Sequence, residues 1–105
     1  MALSDFTLRG LTVRNAQQDG ISLIEVDAFA LIGGAYIGNG QHGMHLSCSR
    51  NGAVQSNNVV GHRQKAVFVG NSDTVTVRDN SLSDNGIGID VENSANIVII
   101  DNRQI

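Results

Sequence analysis

The side chains best suited to binding a charged polymer gather in the middle of this 105-residue chain. His42, His45 and His62, the only histidines, lie there with Arg50, Arg63 and Lys65, and no carboxylate falls within residues 28–72. All ten acidic residues sit at or before Asp27 or at or after Asp73. The chain carries a net charge of -3, yet its centre is neutral to basic. Cationic donors grouped in this way can hold a polyanionic sugar through charge-assisted hydrogen bonds.

Other chemistries find less support. The serines fall in turn-like stretches, and no Asp–His–Ser set follows from the spacing, so no catalytic residue is assigned. Gly38-Asn-Gly-Gln-His-Gly43 matches the G-x-G-x-x-G dinucleotide pattern, but the residues after it alternate as a strand. No helix N-terminus is therefore available for a pyrophosphate, and no cofactor is expected. The single cysteine, Cys48, excludes an internal disulfide and a cysteine-based zinc site. His42 and His45 are three residues apart across a turn and a strand, a spacing that does not by itself make them converge, and Asp90 with Glu92 offers too few oxygens for calcium. No metal site is expected on these grounds.

The elements that must position these residues come from an internal repeat. Gly20-Ile-Ser-Leu23, Gly43-Met-His-Leu46, Ala66-Val-Phe-Val69 and Gly88-Ile-Asp-Val91 recur at steps of 23, 23 and 22 residues. A second alternating segment follows in each unit: Phe6–Leu8, Phe29–Leu31, Gly52–Val54, Val75–Val77 and Ile97–Ile99. A third centres on Val13, Tyr36 with Ile37, Val59 with Val60, and Leu82. Alternation of apolar and polar residues gives each strand one buried and one wet face. Gly34, Asn57, Asn80 and Asn102 occupy equivalent corners, where they are expected to take a left-handed backbone. Equivalent strands one unit apart lie side by side in parallel. The expected fold is all-β, a right-handed parallel β-helix of about four and a half coils of 22 to 23 residues, with three short strands per coil. The leucine spacing of leucine-rich repeats is absent.

Stacking the units turns the sequence into columns. Ile21, Met44, Val67 and Ile89 form one inward column, and Leu23, Leu46, Val69 and Val91 the next; Ser49, Ser72 and Ser94 form a hydroxyl ladder. Tyr36 falls on a buried column. Outward from the first strand stand Ser22, His45, Phe68 and Asp90, and stacking brings His42, Arg63 and Lys65 to the same edge. A phenylalanine in a water-facing column has no use there unless a sugar face, a partner or a loop covers it. These seven residues are the candidate substrate-binding set.

Composition bounds the rest. Twelve glycines, no proline and 41% apolar residues describe a turn-rich, strand-rich chain, expected as a single domain over residues 1–105. Neither a membrane-length apolar run nor a signal-peptide pattern is present, and the acidic balance argues against nucleic acid. Residues 103–105 and the start at Asp5-Phe6 fall in mid-coil without a capping helix. Such ends fit a segment of a longer solenoid, or self-association through open strand edges.

Gly33-Gly-Ala-Tyr-Ile-Gly-Asn-Gly, the Asn-x-x-x-x-Asn-Gly-x-Gly-Ile run from Asn80 to Ile89, and Ser94-Ala-Asn-Ile-Val-Ile resemble the repeats of the pectate-lyase-like superfamily. Within it they are most similar to the mannuronan C5-epimerase catalytic module, which acts on alginate. The resemblance runs from about Asp5 onward, and similar units recur in lyases, hydrolases, copper-delivery accessory proteins and phage tailspikes. It implies a bacterial, extracellular or periplasmic parent protein and a sugar groove along the first strand. The Asp-Pro-His coil that carries epimerase chemistry is absent from this proline-free chain. The expected function is therefore binding or scaffolding of an acidic polysaccharide of the alginate or pectin type. A structural stem and a lyase or epimerase are the alternatives.

Overall fold

A computed structural model describes residues 4–104, and the described chain is built from strands and turns alone. The strands run β1 Ser4–Arg9, β2 Thr12–Arg14, β3 Ile21–Ile24, β4 Asp27–Ile32, β5 Ala35–Ile37, β6 Met44–Ser47 and β7 Arg50–Gln55. They continue as β8 Asn58–Val60, β9 Lys65–Gly70, β10 Asp73–Arg78, β11 Ser81–Ser83, β12 Ile87–Glu92, β13 Ala95–Ile100 and β14 Arg103–Gln104. Three parallel sheets result: β1-β4-β7-β10-β13, β14-β11-β8-β5-β2 and β12-β9-β6-β3. Every strand pairs with its equivalent one coil away, as in Ile21 with Met44 and Met44 with Val67. This is the right-handed parallel β-helix that the period predicts.

The core is the inside of the coil. Leu31, Met44, Leu46, Val54, Val59, Val67, Val69, Val75 and Val77 are wholly buried, and Tyr36 and Leu82 nearly so. Each fully buried aliphatic side chain contributes about 1.5–3 kcal/mol. Neighbouring coils compensate one another in volume along a column. Phe29 stacks on Phe6 with ring centroids 6.5 Å apart, and its ring fills the space that a side chain at Gly52 in the next coil would need.

The corners differ from the expectation. Left-handed backbone sits one residue earlier, at Gly10, Gly33, Ser56, Asp79 and Asp101, while Asn57, Asn80 and Asn102 keep negative φ. Those asparagines point inward instead. Asn80 Oδ1 accepts from the amide N–H and the side-chain Nδ2 of Asn57, at 2.9 and 3.0 Å, and Asn80 Nδ2 donates to Val54 O at 3.0 Å. The buried corner N–H groups need acceptors, and a short carbonyl side chain from the next coil supplies one; that need places Asn here more than backbone freedom does. The serine column behaves likewise, with Val26, Ser49 and Ser72 N–H donating to Ser49, Ser72 and Ser94 Oγ.

The third corner holds a ladder that the sequence hid. Ala16 N–H donates to Asn39 Oδ1, Asn39 N–H to His62 Nδ1 and His62 N–H to Asn85 Oδ1. His62 thus stands where the adjacent coils use asparagine. Its Nε2 lies 2.8 Å from Tyr36 O, matching Asn39 Nδ2 to Val13 O and Asn85 Nδ2 to Val59 O. Burial holds the His62 pKa below 6.5, against the opposing effect of its bonds to Tyr36 and Asn39. A neutral ring with the proton on Nε2 meets both partners, so His62 belongs to the frame and not to a cationic surface.

Candidate functional site

The outward column of the β3-β6-β9-β12 sheet is as the repeat predicts: Ser22 lies beside His45, His45 beside Phe68 and Phe68 beside Asp90. Strand alternation turns these side chains away from the core. Phe68 is half-buried among its neighbours. The His42 ring stacks on it with centroids 5.6 Å apart at 18°, and His45 meets it edge-on at 5.1 Å and 74°. Lys65 Nζ stands 4.4 Å from the ring centre. Gly70, two residues on along β9, leaves the space over which the ring lies, since a Cβ there would come within 2.8 Å of it.

Two carboxylates from flanking coils complete the cluster. Asp19 receives the His42 amide on Oδ1 at 3.1 Å, and its Oδ2 lies 3.2 Å from His45 Nδ1. That acceptor places the His45 proton on Nδ1 and leaves Nε2 with its lone pair. His42 has the opposite arrangement, because its Nδ1 accepts the Lys65 amide at 3.2 Å. Burial lowers the His42 pKa, with His45 and Lys65 adding to the effect against the pull of Asp19 and Asp90. Lys65 forms ion pairs with Asp90 and, at 3.3 Å, with Glu92. The hydrogen bond with Asp90 raises the Lys65 pKa and lowers that of Asp90.

The basic stripe expected from the linear sequence is therefore broken up in space. One coil is 23 residues, so Asp19 lands on His42 and Asp27 on Arg50, whose side chains pair at 3.6 Å. Asp90 and Glu92 fall on Lys65 from the other side. The acid-free segment of the sequence is not an acid-free surface. Arg63, exposed at the corner before β9, makes no ion pair among the described residues. The structure thus unites His42, His45, Lys65, Phe68 and Asp90; Ser22 extends the column as an exposed hydroxyl, and Arg63 stands at its margin. Asp19 and Glu92 were missed. Adding one period to Asp19 reaches His42, and subtracting one from Glu92 reaches the β9 strand, so the repeat already held the signal.

His42 and His45 converge, with ring centroids 5.5 Å apart. The turn between them closes because Gly43, whose N–H donates to Lys65 O at 2.9 Å, packs where a Cβ would strike Val59 and the Ala66 carbonyl. A concavity of about 500 Å³ lies elsewhere, at the last coil, and is lined by Leu82, Ile89, Ile99 and Gln104. It is the apolar inner column left uncovered there and brings no convergent titratable groups, so the outer-face cluster is the better candidate.

Parallel coils stacked in register through three sheets define a β-helix module. The chain belongs to the right-handed β-helix family, matching the family described as "Right handed beta helix region" over residues 2–104. Among solved structures it is similar to the enzymatically active domain of tailspike protein 2 from bacteriophage CBA120. The TM-score is 0.83 at 18% identity, over 97% of this chain and 17% of that chain. Full-length tailspike protein 2, described as from Escherichia coli O157:H7 bacteriophage CAB120, gives 0.75 at 16% identity, over 83% of this chain and 14% of that one. The chain spans less than a fifth of either tailspike, and the likeness is one of fold. No curated protein matches it.

Proposed function

We propose that the chain is a carbohydrate-binding β-helix module, a segment of a longer solenoid, that seats a sugar chain across the outer face of β3, β6, β9 and β12. The observation that carries this reading is Phe68, an aromatic ring on an outward column with polar groups one strand spacing away on either side. His45 Nε2 and the Asp90 carboxylate are acceptors for sugar hydroxyls, and the exposed part of the ring offers an apolar face. Asp90 and Glu92 counter Lys65, and Asp19 sits against His45, so the face suits a hydroxyl-rich chain better than a dense polyanion. Arg63 is the cation available to an acidic group of the alginate or pectin type. Titration of neutral, uronate and partly esterified uronate oligosaccharides tests this. Binding weakened at least tenfold by Phe68→Ala supports it; absence of binding to every class at millimolar ligand refutes it.

A second reading, a structural stem assembling through its coil edges, is favoured by the half-exposed Ile87, Val98, Ile99 and Ile100 around the last coil. Light scattering coupled to size exclusion decides it: a concentration-independent monomer rules it out. The lyase or epimerase alternative, behind the mannuronan C5-epimerase resemblance, lacks the Asp-Pro-His coil in this chain.

A further inference from the structure

The geometry points to a divalent transition-metal site formed by Asp19, His42 and His45, for a borderline ion of the Zn²⁺ type. One ligand atom from each of these three residues lies within 4.8 Å of the others. Zinc binds imidazole nitrogen at about 2.0–2.1 Å and carboxylate oxygen at about 2.0–2.2 Å, so two ligands of one tetrahedral ion stand about 3.3 Å apart. His45 Nδ1 and Asp19 Oδ2, at 3.2 Å, already have that separation. His42, whose ligand atom lies within 4.8 Å of the other two, completes the triangle after a side-chain movement of up to about 1.5 Å.

The surroundings suit an ion as well as the ligands do. Asp19 comes from the corner before β3, and His45 from β6, one coil later, so two hydrogen-bonded coils hold the ligands. Side-chain exposure of 29% for His45 and 13% for Asp19 leaves a path for the ion and a fourth position for water or a ligand hydroxyl. Lys65, the nearest ammonium, is held by Asp90 and Glu92. Two nitrogens and one oxygen favour zinc, nickel or copper over calcium and magnesium, which require six or more oxygen ligands.

Loading exchanges defined bonds. The ion takes the place of the proton between His45 Nδ1 and Asp19, and that proton moves through water to Nε2 of the same ring. At His42 the ion either replaces the Lys65 amide at Nδ1 or takes Nε2 and puts a proton on Nδ1. Either way the Lys65 amide loses its 3.2 Å acceptor, which makes that amide a reporter of occupancy.

The test uses the full chain carrying Cys48→Ser, which removes the exposed thiol as a competing ligand. Zinc chloride is titrated calorimetrically, and cobalt(II) is added as the spectroscopic probe. One ion per chain, the strong visible absorption of tetrahedral cobalt, a shift of the Lys65 amide resonance, and no response to calcium or magnesium support the site. Asp19→Asn and His45→Gln, each confirmed folded by circular dichroism, are expected to weaken zinc at least tenfold. Undiminished zinc affinity in both folded variants overturns the site, as does absence of one-to-one binding at millimolar zinc.

Discussion

Replacing His62 with asparagine separates its role in the frame from its titration. In the wild type the ring accepts the Asn39 amide and donates to Tyr36 O, and both partners are buried. His62→Ala leaves a buried N–H and a buried carbonyl unpaired, at about 1–3 kcal/mol each. The expected loss at pH 7.5 is about 2–6 kcal/mol, a large share of the roughly 5–15 kcal/mol that stabilises a domain. His62→Asn restores both bonds in the manner of Asn39 and Asn85 and should recover most of that loss. The pH dependence follows from linkage. Burial lowers the folded-state pKa below 6.5, so on acidification the unfolded chain takes up the proton first. His62 therefore contributes no penalty well above pH 6.5, and stability falls as the pH drops below it, until the folded ring also protonates. Between pH 7.5 and 5.5 the loss is up to about 1.4 kcal/mol for a ring that stays neutral when folded. His42, also lowered, adds a loss of the same sign in both proteins, so the difference between wild type and His62→Asn isolates His62. Urea denaturation at the two pH values, followed by far-ultraviolet circular dichroism, gives both numbers. Identical pH slopes in the two proteins would refute the buried neutral ring, and a His62→Asn variant as unstable as His62→Ala would refute its equivalence to asparagine.

Three further outcomes follow from the packing. Thr74 is a β-branched residue held at φ 55° where neighbouring coils place Asn51 and Asn96, so Thr74→Asn should raise stability by about 0.5–1 kcal/mol in thermal melts. Asn80→Ala removes acceptors from Asn57 and a donor from Val54 O and should cost about 2–4 kcal/mol by urea titration. Gly52→Ala forces the Phe29 ring to move and should cost about 1–3 kcal/mol, whereas Arg50→Ala, which breaks an exposed ion pair, should change stability by less than about 0.5 kcal/mol.

The columns were legible because burial repeats with the coil: once Gly20, Gly43, Ala66 and Gly88 are aligned, the inward and outward residues of all three sheets follow. The corners were harder. Asn57 and Asn80 have the residue type of a left-handed turn, yet that conformation falls on Ser56 and Asp79, because the buried amides have first claim on the asparagine carbonyls. His62 was invisible as a ladder member, since nothing local marks a histidine as a substitute for asparagine. The site was half legible. Phe68 and His45 follow from alternation, but the charge reading failed where it treated distance along the chain as distance in space. In a solenoid the nearest neighbour of a side chain is commonly one coil away, and there the acids lie.

The buried side-chain ladders of serine, asparagine and histidine also run in one direction. In the buried ladder at each of the three corners the amide of one coil donates to a side chain of the following coil, as in Ser49 to Ser72, Asn57 to Asn80 and His62 to Asn85, whereas at the outer face the His42 and Lys65 amides donate back to Asp19 and His42. The side-chain amides of the later coil reach back to carbonyls of the earlier one, as Asn80 does to Val54. During synthesis, then, a repeat leaving the ribosome cannot complete its corners by itself. It waits for the next 22 or 23 residues to emerge, and consolidation trails translation by one turn of the coil. A ribosome stalled after each successive repeat would carry a nascent chain whose newest coil stays open to protease while the coil before it is closed.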